Sequence, residues 1–263
     1  MRKLILLAFV LLLVISLNSV CMADQLVRYM FGEGSGDIVH DSAPGAALDL
    51  IIDNPANVSW MAGGGLSVDS PTIVVSPGPA TKVIDGCMAT NEITIEAWIK
   101  PASDEQGGPA RIVTCSFDGS FRNFTLGQDI TSPSKGYQIR LRTPVAGLNG
   151  SDVRIQDPPD TVVLDRMSKL VYTRNAAGEA KFYIDGTEVA SKQIDGDFSN
   201  WDASYQLALA NEIPQGGTRL WLGSFYYVAI YNEAIAPEQL PAPTAVEPQA
   251  KMTTTWAEIK ALR

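Results

Sequence analysis

The sequence predicts an all-β protein built as a two-sheet antiparallel β-sandwich. Three observations carry that reading. Short apolar or alternating runs recur along the chain, while a helical period is almost absent. The runs are separated by Gly, Pro, Asp and Asn, the residues of tight turns. About a dozen runs follow one another with no linker between residues 24 and 240, as expected of one large sandwich.

The first segment stands apart from that series. Met1-Arg2-Lys3 is basic, Leu4 to Leu17 is apolar except for Ser16, and Cys21-Met22-Ala23 supplies residues of a cleavage site. Residues 1–23 therefore read as a secretory signal peptide, since the apolar run is short for a bilayer span of about 20 residues. An anchor helix, or a lipid attached at Cys21 despite Val20 before it, are the alternatives.

The expected strands are Leu26 to Phe31, Leu48 to Ile52, Gly65 to Val68, Ile73 to Val75, Ile93 to Ile99, Arg111 to Phe117, Asn123 to Gln128, Tyr137 to Arg142, Leu170 to Arg174, Ala180 to Ile184, Gln206 to Ala210 and Trp221 to Tyr231. Asn175-Ala176-Ala177-Gly178 and Asp185-Gly186 are the strongest turn signals. From Pro241 the composition shifts to Pro and Thr, so 241–255 reads as a semi-extended linker. In the tail at 256–263, Trp256, Ile259 and Leu262 share one helical face, although so short a helix is marginal alone.

Composition excludes several functions. The 263 residues carry 20 basic and 29 acidic groups, a formal charge of -9, with 46% hydrophobic and 19% charged residues. That balance fits a soluble globular chain and, without a basic run, argues against nucleic acid. His40 is the single histidine, so no multi-histidine metal site is available, and three cysteines cannot form a four-cysteine zinc site. Past residue 23 two cysteines remain, Cys87 and Cys115. In an oxidising compartment they either form a disulfide bond or stay as buried thiols.

Several segments taken together resemble a known family. Leu26-Val27-Arg28-Tyr29-Met30-Phe31-Gly32-Glu33-Gly34-Ser35-Gly36 with Val39-His40-Asp41-Ser42 resembles the opening of LamG-like jelly-roll domains, of the concanavalin A-like lectin/glucanase superfamily. Ile93 to Pro101 resembles their "tiEaWvkP" strand. Val171-Tyr172-Thr173-Arg174 and Lys181 to Gly186 resemble the later hairpin, and Val228 to Ile235 the last strand. The likeness covers about residues 25 to 240. Arg122 to Gln128, Arg140 to Thr143, Asp197 to Asp202 and Leu209 to Glu212 are similar to a set found in secreted bacterial modules of this type. The resemblance implies a concanavalin A-like jelly roll acting as a binding or adhesion module, with no particular ligand.

Glucanases of that fold carry alternating acids on one strand, in a Glu-x-Asp pattern that this chain lacks. Glu92 and Glu96 share parity, but Thr94 stands where the middle acid belongs, so Glu96 reads as structural beside Trp98. His40 beside Asp41 has no Gly-x-Ser-x-Gly partner and reads as an edge residue. No catalytic residue is therefore assigned. Calcium is the one cofactor the residues suggest. Asp41 resembles the family's early ligand and Asp195, Asp197 and Asp202 flank a tight turn, yet Phe225-Tyr226-Tyr227 stands where the late acid is usual.

Polar residues inside strands are the ligand candidates. Gln138, Arg140 and Arg142 alternate with Tyr137, Ile139 and Leu141, which makes one face of that strand polar. If their strands neighbour each other, Asn123, Gln128, Arg140, Arg142, Tyr172, Arg174, Asn211 and Glu212 line a concave face suited to sugar hydroxyls or carboxylates. The alternative is a closed network in which an arginine pairs with Glu212. Trp98, Trp201 and Trp221 serve as sugar platforms or as core. Asn57, Asn123 and Asn149 sit in glycosylation sequons, read as chance. The expectation is a secreted or cell-envelope, non-catalytic module that binds glycan or an extracellular protein, with no nucleic acid and no membrane span after signal cleavage. The rivals are a glycan-active enzyme and a structural spacer.

Overall fold

The computed structural model describes residues 24–214 and 219–241. The expected signal peptide, the linker beyond Pro241 and the tail at 256–263 lie outside them. In chain order the described residues form β1 (Gln25–Tyr29), β2 (Ile38–Val39), β3 (Leu50–Ile52), β4 (Val58–Trp60), β5 (Leu66–Val68), β6 (Val74–Val75), α1 (Thr81–Thr90), β7 (Ile93–Pro101) and β8 (Ala110–Ser116). They continue with β9 (Arg122–Asp129), β10 (Gly136–Leu141), β11 (Ile155–Gln156), β12 (Ser168–Arg174), β13 (Glu179–Ile184), β14 (Thr187–Gln193), β15 (Gln206–Leu209) and β16 (Gly223–Tyr231).

Two antiparallel sheets result. The first runs β14-β13-β12-β7-β16-β5-β4, with β1 also paired to β16, and the second runs β11-β10-β9-β8-β15-β6-β3-β2. Alternation sets which side chains lie between them. On β7, Ile93, Ile95, Ala97 and Ile99 enter the main core, as do Leu170 and Tyr172 on β12 and Tyr137, Ile139 and Leu141 on β10. The opposite face of the first sheet carries a smaller cluster, Val171, Tyr183, Tyr227 and Tyr231, covered by Ile235 and Leu240 from the segment after β16.

Each expected strand forms, with ends moved by local geometry. β1 stops before Phe31, whose φ of 51° leaves the extended region. β16 begins at Gly223, where an added Cβ would lie 2.5 Å from the Lys100 carbonyl oxygen. The expected lack of helix is corrected by α1. It buries Val83, Ile84 and Cys87, has no side-chain cap at Ala80, and ends at Asn91 in the left-handed conformation. Gly86 lets it lie against Leu26, whose side chain a Cβ would meet at 2.5 Å.

Of the two alternatives for the cysteines, the structure holds the buried thiols. Cys87 and Cys115 are both buried free thiols in the main core, and burial pushes both thiol pKa values up. Glu96 has the structural place its motif suggested. Its buried carboxylate accepts from Trp98 Nε1 at 2.8 Å and pairs with Lys169 Nζ at 3.0 Å.

Asp157 follows β11 and fastens it to β10. Its Oδ1 accepts from the Tyr137 backbone N–H at 2.7 Å and its Oδ2 from the Thr161 hydroxyl. Burial raises its pKa from 3.8 to about 6, against the lowering effect of those hydrogen bonds. Between these two values the folded chain holds the proton more tightly than the unfolded chain. Its contribution to stability is therefore present below pH 3.8 and is lost as pH rises through about 6. The expected size is up to about 3 kcal/mol. Asp157→Asn should remove that dependence. A melting-temperature difference between variant and native protein that is flat from pH 4 to 7 would refute the assignment.

Candidate functional site

Two β-bulges add guanidiniums to the polar outer face of the second sheet. Simple alternation would place Arg111 with Val113 and Cys115, and Arg122 with Phe124, all facing the core. The β8–β9 register shifts between Arg111 and Val113 and again between Cys115 and Ser116. Ala110 and Ile112 thus enter the core, and Arg111 lies opposite Gly127 in the row that continues to Gln138. At the second shift Ser116 pairs with Arg122. A bulge re-aims side chains in this way, here turning two guanidiniums outward.

These two arginines meet the hairpin tip at 117–121. Arg111 Nη2 donates to the Gly119 carbonyl at 3.1 Å, and Arg122 Nη2 donates to the same oxygen. The tip is closed by Phe117 N–H to the Phe121 carbonyl at 2.9 Å and by Asp118 Oδ1, which accepts from Ser120 and Phe121. A Cβ on Gly119 would run into Glu212 Oε2, so only glycine fits there without displacing that carboxylate. Phe117 and Phe121 remain 61% and 41% exposed, with Phe117 stacked on Tyr205 at 6.2 Å.

Beside the tip, Arg140 donates to Gln138 Oε1 at 3.0 Å and to Asn149 Oδ1 at 2.8 Å. Arg219 Nε lies 4.0 Å from Glu212 Oε2. Burial and mutual repulsion lower the pKa of Arg111, Arg122 and Arg140, bringing Arg122 to about 10.

The predicted residues divide between the two sheets. Asn123, Gln128, Arg140, Arg142, Asn211 and Glu212 lie in or next to strands of the second sheet, whereas Tyr172 and Arg174 lie in β12 of the first. One shared face is thus corrected. Tyr172 is core, and Arg174 donates to the Asn91, Ile194 and Gly196 carbonyls with its guanidinium 4.9 Å from the Phe198 ring centroid. Asn123 clamps the Asp202 backbone with both amide atoms. Gln128 accepts from Trp221 Nε1 and donates to the Ser103 carbonyl. Arg142 donates to the Tyr205 hydroxyl at 3.3 Å, and Asn211 Oδ1 accepts from the Glu212 backbone. Of the predicted set, Glu212 borders the hairpin tip directly, Arg142 does so through Tyr205, on which Phe117 stacks, and Arg140 acts on Arg111 and Arg122 by charge. Arg111, Arg122 and Arg219 were missed: parity hides the first two, and Arg219 lies outside any strand pattern.

The calcium set does not converge. Asp41 accepts four hydrogen bonds, from the backbone N–H groups of Arg28, Ala43 and Leu48 and from Lys82 Nζ. Asp195 accepts from Gln193, while Asp197 and Asp202 close local turns with Ser199 and Ser204. Among the described residues no three His, Cys, Asp or Glu side chains gather as a metal site. His40 pairs with Asp49 at 3.0 Å on the surface.

Comparison with known proteins places this geometry. A family model described as concanavalin A-like lectin/glucanases superfamily matches residues 77–240. No curated protein matches the chain in sequence. Among solved structures, a sialidase of Trypanosoma rangeli in complex with 2,3-difluoro-KDN is similar over 81% of this chain and 31% of its own, with a TM-score of 0.56 and 12% identity. Botulinum neurotoxin type C, whose cell entry depends on interaction with two ganglioside molecules, is similar over 81% of this chain and 49% of its own, with a TM-score of 0.55 and 12% identity. The botulinum neurotoxin serotype D/C VPI 5993 binding domain is similar over 82% and 50%, with a TM-score of 0.55 and 11% identity. The chain spans about half of each toxin chain and less than a third of the sialidase, and these likenesses establish the fold.

Proposed function

This chain belongs to the concanavalin A-like lectin/glucanases superfamily, and on that premise we propose that it is a secreted, non-catalytic module that binds glycan. The observation that carries the reading is the hairpin tip at 117–121. It carries two exposed aromatic residues, Phe117 and Phe121, flanking in sequence the Gly119 carbonyl that two buried arginines hold. Apolar ring faces beside a few fixed polar groups are the usual elements of a small-ligand site. The ganglioside dependence of a toxin with the same fold supports a carbohydrate partner.

A non-catalytic role is supported by the acids that parity brings together. Glu92 accepts from the Ala176 and Ala234 backbone, and Glu96 is bonded to Trp98 and Lys169, so neither carboxylate is free to act as acid or nucleophile. The apolar h-region in 1–23 supports action outside the cell or in its envelope.

The test is a glycan array probed with the native protein and with the Phe117→Ala/Phe121→Ala double variant. The native protein should bind a defined set of glycans. The double variant should bind them at least about tenfold more weakly, equivalent to ~1.4 kcal/mol. An array without any bound glycan would overturn the proposal in favour of a spacer or adhesion role. Turnover of any bound polysaccharide would overturn the non-catalytic part.

A further inference from the structure

The outer face of the second sheet gathers more arginines than acids. Four guanidiniums, Arg111, Arg122, Arg140 and Arg219, stand against three nearby carboxylates, Glu212, Asp118 and Asp129, and the Arg219 Nε to Glu212 Oε2 distance is 4.0 Å. Arg111 and Arg122 are fully buried, yet Arg111 Nε and both Nε and Nη1 of Arg122 have no hydrogen-bond partner. A buried guanidinium without a counter-charge is costly, and its planar fork is matched best by an acid group held through two N–H bonds.

The Gly119 carbonyl marks where such a group belongs. It is the one oxygen that accepts from both buried arginines. A neutral carbonyl there adds no counter-charge, whereas an anionic oxygen would add one. Arg140 and Arg219 are partly exposed at the rim, which gives an anion a charged approach from solvent.

We propose that the glycan recognised at this hairpin carries an acid group, a carboxylate or a sulfate ester. That group enters past Arg140 and Arg219 and displaces the Gly119 carbonyl from Arg111 and Arg122. The proposal rests on the glycan-binding reading above and adds the chemical class of the ligand.

Matched probes test it by isothermal titration. Oligogalacturonate is compared with its methyl ester, sialyllactose with lactose, and a chondroitin sulfate oligosaccharide with the unsulfated chain. At least one acidic member should bind at least about tenfold more tightly than its neutral partner. Its binding should weaken steeply between 50 and 500 mM salt, while neutral binding should not. The pair that shows the preference identifies carboxylate or sulfate as the acid. The preference should fall towards unity in the Arg140→Gln/Arg219→Gln variant, which replaces part-exposed side chains and should melt like the native protein.

Equal binding within every pair, or a preference untouched by both salt and the variant, would overturn the acid-group assignment and leave the glycan reading standing. Failure of every probe, acidic and neutral, together with an empty array, would overturn both.

Discussion

Trp221→Ala should destabilise the domain by about 3–5 kcal/mol, the largest single effect expected here. Trp221 is fully buried, and its ring packs on Phe225 at 4.8 Å. It also ties the two sheets together. Its backbone N–H donates to the Ala210 carbonyl at the end of β15, and its indole N–H donates to Gln128 on β9 at 3.0 Å. The side chain itself lies just before β16 of the other sheet. Truncation would therefore open a cavity and remove a donor from Gln128, which keeps only the Gln106 amide at 3.4 Å. Trp221→Phe should cost less, because it loses the hydrogen bond and part of the volume but keeps a ring. Urea unfolding of both variants checks this. A loss below about 1 kcal/mol for the alanine variant would show that the core closes around the gap.

Glu96→Ala should cost about 3 kcal/mol, although the residue lies far from the hairpin site. Its carboxylate is buried on the outer face of the first sheet and serves Trp98 and Lys169 through Oε1 and the Tyr231 hydroxyl, at 3.5 Å, through Oε2. Removal would leave the Trp98 indole N–H without its acceptor and the Lys169 ammonium, only 24% exposed, without its counter-charge. Lys169 also lies 5.6 Å from the Trp98 ring centroid, so the three side chains form one unit. Glu96→Gln keeps an acceptor for the indole and should lose less than the alanine variant. Thermal melts of the two variants decide the matter. Native stability in Glu96→Ala would release this carboxylate from its structural role and reopen the enzymatic alternative.

The pair also shows why part of this protein was readable from sequence. Glu96 and Trp98 share parity on β7, and a short acid two residues from an indole can reach its N–H, so a motif of three residues already encodes the contact. The same parity rule located twelve strands, because each buries one face against the other sheet. It failed where the backbone breaks the period. The bulges in the β8–β9 pair turn Arg111 and Arg122 outward, and nothing in the local residue pattern announces the extra residue in either strand. Helix α1 escaped notice for a related reason. Ala80 supplies no cap, Gly86 interrupts the helix-forming run, and Val83, Ile84 and Cys87 span little more than a turn. Strand β14 is half-exposed or exposed throughout and so carries no alternation to detect. Arg174 illustrates the remaining limit. Its polar character was plain, but its three carbonyl partners come from segments remote in sequence.

The place of β16 has a consequence for the order in which the molecule assembles. This strand, the last among the described residues, lies inside the first sheet, hydrogen-bonded to β7 and β5 and also to β1, whose residues come about two hundred positions earlier. Until residues 223–231 are available, β7, β5 and β1 each lack a partner along one side. Closure of such distant pairs is slow, because the loop entropy is lost before the contacts form. The second sheet can begin forming from the local β8–β9–β10 meander as those residues are made. The first sheet closes only once β16 has been made. A nascent chain stopped before β16 would present unpaired strand edges to its surroundings, the species most exposed to aggregation.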